Sequence, residues 1–252
     1  MASPWVGIAL SVAAVSVVSL VGAFGLSKLL GRHRVMMGLI ALAAGTLVGD
    51  AFLHLLPESS EAGFSTVTGA AVLGGFLLMF GIEMVLRRGH SHAEATGAHD
   101  HHVAPFGWLN LVGDALHNFL DGIVLAVAFL VDAATGFATT VAVLLHEVPQ
   151  ELGDFAVLIR SGMARKKALL LNLASALFAA LGAFLVFLVG PERHEQLALA
   201  VPVVAGMFIY IAAADLIPEL HHHGKGRDLA VIISSLVAGI AIMGLLLFVD
   251  IG

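Results

Sequence analysis

Two short segments of the chain concentrate side chains able to hold a metal ion. Residues 114–121 carry Asp114, His117, Asn118 and Asp121, spaced i, i+3, i+4 and i+7, so all four fall on one face of a helix. Residues 146–154 carry His146, Glu147, Gln150, Glu151 and Asp154, at i, i+1, i+4, i+5 and i+8, a second and broader polar stripe. His117 with Asp121, and His146 with Gln150, are i,i+4 pairs that can point at one centre. Glu147 with Glu151 is another such pair, rotated by about 100°. Imidazole and carboxylate together suit zinc and its first-row neighbours. Neither stripe holds a Lys or Arg. Left unpaired in lipid, the five carboxylates would cost on the order of 15 kcal/mol on insertion scales. A divalent cation between the stripes would offset that cost, whereas a network of buried ion pairs lacks the basic partners it needs.

That the setting is lipid follows from composition. Of the 252 residues, 59% are hydrophobic and 12% charged, against about 25% charged in an ordinary soluble domain, and the mean hydropathy is +0.99. No cysteine is present, which excludes disulfides, thiolate metal sites and cysteine nucleophiles. A net charge of -6 with scattered basic residues argues against nucleic acid as a partner. The thirteen histidines outnumber the twelve Lys plus Arg.

The elements that must position the two stripes are membrane helices. A span needs about 20 mostly apolar residues, and eight segments qualify: 4–27, 35–57, 65–86, 106–131, 136–160, 168–189, 197–218 and 229–250. The first lacks the basic leader of a cleaved signal and reads as a retained span. With the N-terminus outside, Lys28, Arg32, Arg34, Arg87, Arg88, Arg160, Arg165, Lys166, Lys167, Lys225 and Arg227 all lie on the inner side, leaving Arg193 outside. That asymmetry predicts an all-α integral membrane protein, one transmembrane domain over 1–252, with both termini outside. Ala44-Gly45 followed by His54-Leu55-Leu56-Pro57-Glu58 is echoed by Ala205-Gly206 followed by Asp215-Leu216-Ile217-Pro218-Glu219, in spans of opposite direction. The echo predicts an inverted 3+2+3 repeat, with spans 1–3 and 6–8 flanking spans 4 and 5. Pro149 inside the second stripe removes a helix hydrogen bond and frees the Leu145 carbonyl, predicting a kink beside the ligands.

Two further stripes could form a pathway: Asp50, His54 and Glu58 toward the outer end of span 2, and Asp215, Glu219 and His222 or His223 at the inner end of span 7. Helix caps and interfacial charges would give the same patterns. Asp114 and Asp154 extend the central stripes in the same way. Residues 87–105, with His90, His92, His99, His101 and His102 among Gly, Ala, Ser and Thr, read as a flexible inner loop able to bind zinc-like ions weakly. His221, His222 and His223 share that side.

His117-Asn118-Phe119-Leu120-Asp121-Gly122 followed by His146-Glu147-Val148-Pro149-Gln150-Glu151 resembles the signature of the ZIP (Zrt-, Irt-like protein) family of metal transporters, and is most similar to its HExPHE-motif subfamily, as is Gly153-Asp154-Phe155. The resemblance implies an eight-helix bundle that moves zinc or a related divalent ion toward the cytoplasm, often as a homodimer. It implies two adjacent metal positions, one on His117, Asp121, His146 and Gln150, the other on Asn118, Asp121, Glu147 and Gln150. Gln150 stands where the subfamily has His, and Ser175 where some members place a Glu for the second metal, so that second position is expected to be weak here.

Zinc is thus the expected substrate, with Fe2+, Mn2+ and Cd2+ as alternates, and no organic cofactor is expected. The expected mechanism is alternating access, with entry past Asp50 and His54 and exit toward Asp215, Glu219 and the histidine loop. Two rival classes fit some of the same residues. His146-Glu147-Val148-Pro149-Gln150 approaches the H-E-x-x-H pattern of an intramembrane zinc metalloprotease, although the second His is missing and a proline interrupts it. A non-transporting metal sensor would bind the same ion, although these loops are too short to hold a signalling domain. The short Ala/Gly-rich loops fit a bacterial inner (plasma) membrane.

Overall fold

The computed structural model describes residues 4–26, 32–60, 63–95, 103–190, 200–223 and 227–247. Among them every regular element is helical. We number the helices α1 (Pro4–Leu26), α2 (His33–Glu58), α3 (Thr66–Ala95), α4 (Pro105–Val131), α5 (Ala133–Arg160), α6 (Arg165–Val189), α7 (Ala200–His223) and α8 (Arg227–Leu246). Six of them, α2, α3, α4, α6, α7 and α8, contain stretches long and apolar enough to cross a membrane. α1 is equally apolar, and its described side chains reach Val17. α5 has 28 residues, ample for a crossing, but its polar stripe keeps its hydropathy down.

Two boundaries differ from the sequence expectation. Residues 87–95, expected to begin a flexible loop, continue α3 as helix to Ala95. Arg87 reaches back to Glu83 four residues earlier, and Ala93, Glu94 and Ala95 are good helix formers. His90 and His92 therefore sit on a helix, whereas His99, His101 and His102 fall outside the described residues. Span six is divided at Leu177, where Arg165–Ala176 gives way to Phe178–Val189. α5, in contrast, runs unbroken through Pro149.

α1, α4, α5 and α6 pack on one another, while α2 pairs closely with α8 and α3 with α7. α2 also lies along α5, where Gly153 meets Ala43. Paired glycines set the closest approaches. A Cβ at Gly122 would run into the Ala179 carbonyl, and one at Gly182 into that of Phe119, so α4 and α6 meet backbone to backbone. Gly45 faces the Leu236 carbonyl and Gly239 that of Leu42; Gly206 faces Val72 and Gly75 faces Val203 in the same manner. The α2–α8 and α7–α3 contacts are thus built alike.

α2 and α7 share a second device. Each widens into a π-helical turn, Ala51–Leu55 and Ile211–Leu216, just before Pro57 and Pro218. A proline has no N–H to offer the preceding turn, and one extra residue per turn absorbs that mismatch. Asp50 lies at the start of the first π turn, with His54 inside it, and Asp215 lies inside the second.

α4 passes to α5 through Asp132, whose carboxylate accepts hydrogen bonds from Thr135 N and Thr135 Oγ1, both 2.9 Å. The bond from the Thr135 backbone N–H leads the effects that hold the Asp132 carboxyl below its ordinary value. We expect Gly122→Val to force α4 off α6 and to cost about 1–3 kcal/mol or more, seen as a lowered melting temperature in detergent, with the lipid-exposed Val124→Ala close to neutral.

Candidate metal site

α4 and α5 bring the two polar stripes face to face. One ligand atom each from His117, Asp121, His146 and Glu147 lies within 4.8 Å of all the others. His117 Nε2 is 3.3 Å from His146 Nε2, and Asp121 Oδ2 lies 3.5 Å and 3.4 Å from those two nitrogens. Glu147 Oε1 is 3.7 Å from His117 Nε2 and 3.9 Å from His146 Nε2. Four atoms about 2.0–2.2 Å from a tetrahedral ion sit about 3.3–3.6 Å from one another. The observed separations match those edges closely, so a zinc-like ion fits with small movements of Glu147.

The site is dry and acidic. His117, Asp121 and Glu147 are buried, and His146 is half-buried. Both Glu147 oxygens are buried without a hydrogen-bond donor. A buried carboxylate left in that condition is costly, and the positions facing it are imidazole nitrogens that either share a proton with it or share a cation.

The other expected residues divide. Gln150 is buried with neither amide atom hydrogen-bonded, which leaves its oxygen available to an ion. Asn118 donates to Asp114 Oδ1 at 2.8 Å and to the Asp114 carbonyl at 3.1 Å, leaving its own Oδ1 unpartnered. Asp114 also accepts from Ser175 on α6. Glu151 is turned to Asn172 of α6, which donates to it. Asp154 accepts from Asn110 at 3.0 Å. These three carboxylates are held by neutral donors, in contrast to Glu147.

Toward α2, Asp50 Oδ2 lies 3.7 Å from His117 Nδ1, and its Oδ1 is 3.5 Å from His54 Nδ1. Asp50 therefore links the buried site to a half-buried histidine nearer the C-terminal end of α2. On α7, Asp215 Oδ2 is buried without a hydrogen-bond partner, and Glu219 pairs with Arg160 of α5 at 2.5 Å. Glu58 is exposed at the C-terminal end of α2, and His221 and His222 are exposed at the C-terminal end of α7.

Several polar partners lay outside the sequence reading. Asn110 continues the α4 stripe one turn before Asp114, a signal that spacing alone could have given. Asn172 carries one, as a lone amide three residues before Ser175. Glu83 of α3, which accepts from both Arg87 and Tyr210, gives no hint in sequence that Tyr210 of α7 is its neighbour. Asn172→Ala would leave Glu151 buried without its donor, and we expect about 1–3 kcal/mol of lost stability, read as a lower melting temperature that Asn172→Gln partly restores. Glu147→Gln should weaken zinc binding beyond the roughly 10–100-fold typical of losing an outer-shell partner, measured by titration calorimetry on the purified protein.

Comparison with known proteins places this arrangement in context. The family model described as ZIP Zinc transporter matches residues 2–105 and 86–247. The chain is similar to "Zinc transporter ZIP4" of Rattus norvegicus, 34% identical over 256 residues, with 75% of this chain and 39% of the relative aligned. It is similar to "Zinc transporter ZIP13" of Pongo abelii, 36% identical over 229 residues, covering 84% of this chain and 67% of the relative. With "Zinc transporter ZIP10" of Danio rerio it shares 43% identity over 120 residues, 48% of this chain and 14% of the relative. The chain thus spans about 39% of the length of the rat relative.

Proposed function

The chain belongs to the ZIP zinc transporter family, and from that premise we propose that it carries zinc across the membrane toward the cytoplasm through the α4–α5 site. The observation that carries the proposal is the four-atom cluster of His117, Asp121, His146 and Glu147, with the buried amide oxygens of Gln150 and Asn118 left without a hydrogen-bond partner. In this reading the ion enters past His54 and Asp50 and sheds water among the four ligands. It then leaves toward Asp215 when the inner side opens. A second, weaker position forms on Asn118, Asp121, Glu147 and Gln150. Its weakness follows from Ser175, which binds Asp114 rather than presenting a carboxylate to the ion. Fe2+, Mn2+ and Cd2+ are further substrates of the same donor set, and the reading calls for neither an organic cofactor nor an enzymatic step.

The architecture we propose has eight spans, both termini outside, and the inverted 3+2+3 repeat. Its support is the matched pair of helix contacts. Gly45 and Gly206 occupy equivalent places in α2 and α7, their partners Gly239 and Gly75 occupy equivalent places in α8 and α3, and both α2 and α7 carry a π turn before proline. An inverted repeat gives two related conformations from one sequence, which alternating access requires. The apolar outer faces of α3 (Leu73, Leu77, Met84) and α8 (Ile233, Val237) suit lipid or a second copy in a homodimer. A bacterial inner membrane is the setting we infer from the short loops.

A proteoliposome assay tests the reading. Zinc influx into vesicles holding purified protein should saturate, and His146→Ala and Asp121→Ala should each bring it to the level of empty vesicles, with cadmium and manganese run alongside to rank the metals. Tight zinc binding with no flux from the wild-type protein would overturn it in favour of a sensor.

A further inference from the structure

The inner ends of the helices are tied together by side-chain and cap contacts of two kinds. Some join helices that already pack as one body. The Ala104 N–H donates to the Ser161 carbonyl at 2.8 Å, linking the start of α4 to the end of α5. Lys167 of α6 lies 5.0 Å over the Trp108 ring of α4. Arg34 of α2 pairs with Asp228 of α8 at 2.6 Å. Glu83 of α3 is held by Tyr210 of α7. Each of these survives any rigid movement of its own group.

Arg160–Glu219 is of the other kind. Arg160 ends α5, one of the two helices that carry the metal ligands, and Glu219 lies on α7, which packs with α3. Among the described residues it is the ion pair that joins these two groups at their inner ends, at 2.5 Å between Arg160 Nη2 and Glu219 Oε1. Glu219 lies one turn beyond Asp215 on α7, and one oxygen of Asp215 is buried without a hydrogen-bond partner. On the proposed route, an ion leaving the α4–α5 site toward Asp215 moves to the end of α7 that Arg160 of α5 holds through Glu219.

We propose that Arg160 and Glu219 form a latch that closes the inner end of the pathway and must separate for the metal to leave. Glu219 then acts in the first instance as a gating partner of Arg160, in place of the metal-relay role its sequence position suggested. The inference rests on the alternating-access reading given above. The pair is partly exposed, with side-chain accessibilities of 37% and 22%, so it is weak enough to open on each cycle. Pairs of this sort shift an equilibrium by only about two- to five-fold. The latch is therefore a bias on the closed state and not a lock.

The chain has no native cysteine, so the test can use a clean background. Arg160→Cys with Glu219→Cys is purified, reconstituted and treated with a short bis-methanethiosulfonate that spans the gap left by the two long side chains. Cross-linking should stop zinc influx, and a reductant should restore it. In parallel, Arg160→Gln and Glu219→Gln should each change the flux rate by about two- to five-fold, and the exchanged pair Arg160→Glu with Glu219→Arg should return it toward wild type. The rescue shows that the two charges act as a pair, and the reversible block by the cross-link is the result that a merely structural contact would not give. Full flux through the cross-linked protein, failure of the two thiols to be bridged, or absence of rescue would each overturn the latch. Absence of flux from untreated wild-type protein would instead overturn the transport reading on which it stands.

Discussion

A carboxylate in hydrocarbon is stable only when something positive or proton-donating faces it, and the core of this protein is organised around that demand. Asp114, Glu151 and Asp154 meet it with neutral donors from Asn118, Ser175, Asn172 and Asn110. Asp121 and Glu147 meet it differently. They lie against two imidazole nitrogens, and Glu147 has no hydrogen-bond donor at all. Each of the first group is engaged by a neutral donor, although one Asp154 oxygen stays unpartnered, and these bonds tie α4, α5 and α6 to one another. The second is left short of positive charge, and under the proposed function a divalent cation supplies it where, among the described residues, four ligand atoms converge.

Close helix packing serves the same end. Imidazole and carboxylate side chains are short, so α4 and α5 must approach within their combined reach, while α6 must come near enough for Asn172 and Ser175 to bind Glu151 and Asp114. The glycine contacts Gly122–Ala179 and Gly182–Phe119 permit this by removing every side chain from the line of approach. Polar residues contribute at the edges: Thr140 donates to Ser11 at 2.9 Å between α5 and α1, and Ser16 donates to the Ala176 carbonyl at 3.3 Å, where α6 divides.

Legibility in the sequence follows from the range of the interactions. The spans are visible because an unbroken apolar run of about 20 residues matches the thickness of a bilayer and suits little else. The α4 polar stripe is visible because helical spacing puts Asp114, His117, Asn118 and Asp121 on one face without reference to the rest of the chain. The pairings across helices are not local and left little trace. Ser175 and Asp114 are 61 residues apart, and Tyr210 and Glu83 are 127 apart; nothing in either neighbourhood names the other. Glu219 illustrates the consequence. Read along its own helix it continues a stripe from Asp215 toward an exit, yet α5 folds Arg160 onto it. The extension of α3 to Ala95 was hidden for a different reason. Histidine and glycine composition resembles a loop, while the Arg87–Glu83 contact and the run Ala93-Glu94-Ala95 favour helix locally.

The donor set also suggests why this site can release what it binds. Two carboxylates, Asp121 and Glu147, with two neutral imidazoles carry a charge that a divalent cation cancels, and an uncharged complex is the one a low-dielectric interior penalises least. A carboxylate in place of Gln150, or Asp114 turned from Ser175 toward the ion, would leave the loaded site negative and hold the metal harder. The amide keeps an oxygen near the centre without adding charge. Ser175 and Asn172, by engaging Asp114 and Glu151, keep two more negative charges from joining the ligand shell. Under the proposed function, the same hydrogen bonds that stabilise the bundle therefore limit how tightly it would hold a metal, the compromise a carrier needs and a structural zinc site does not.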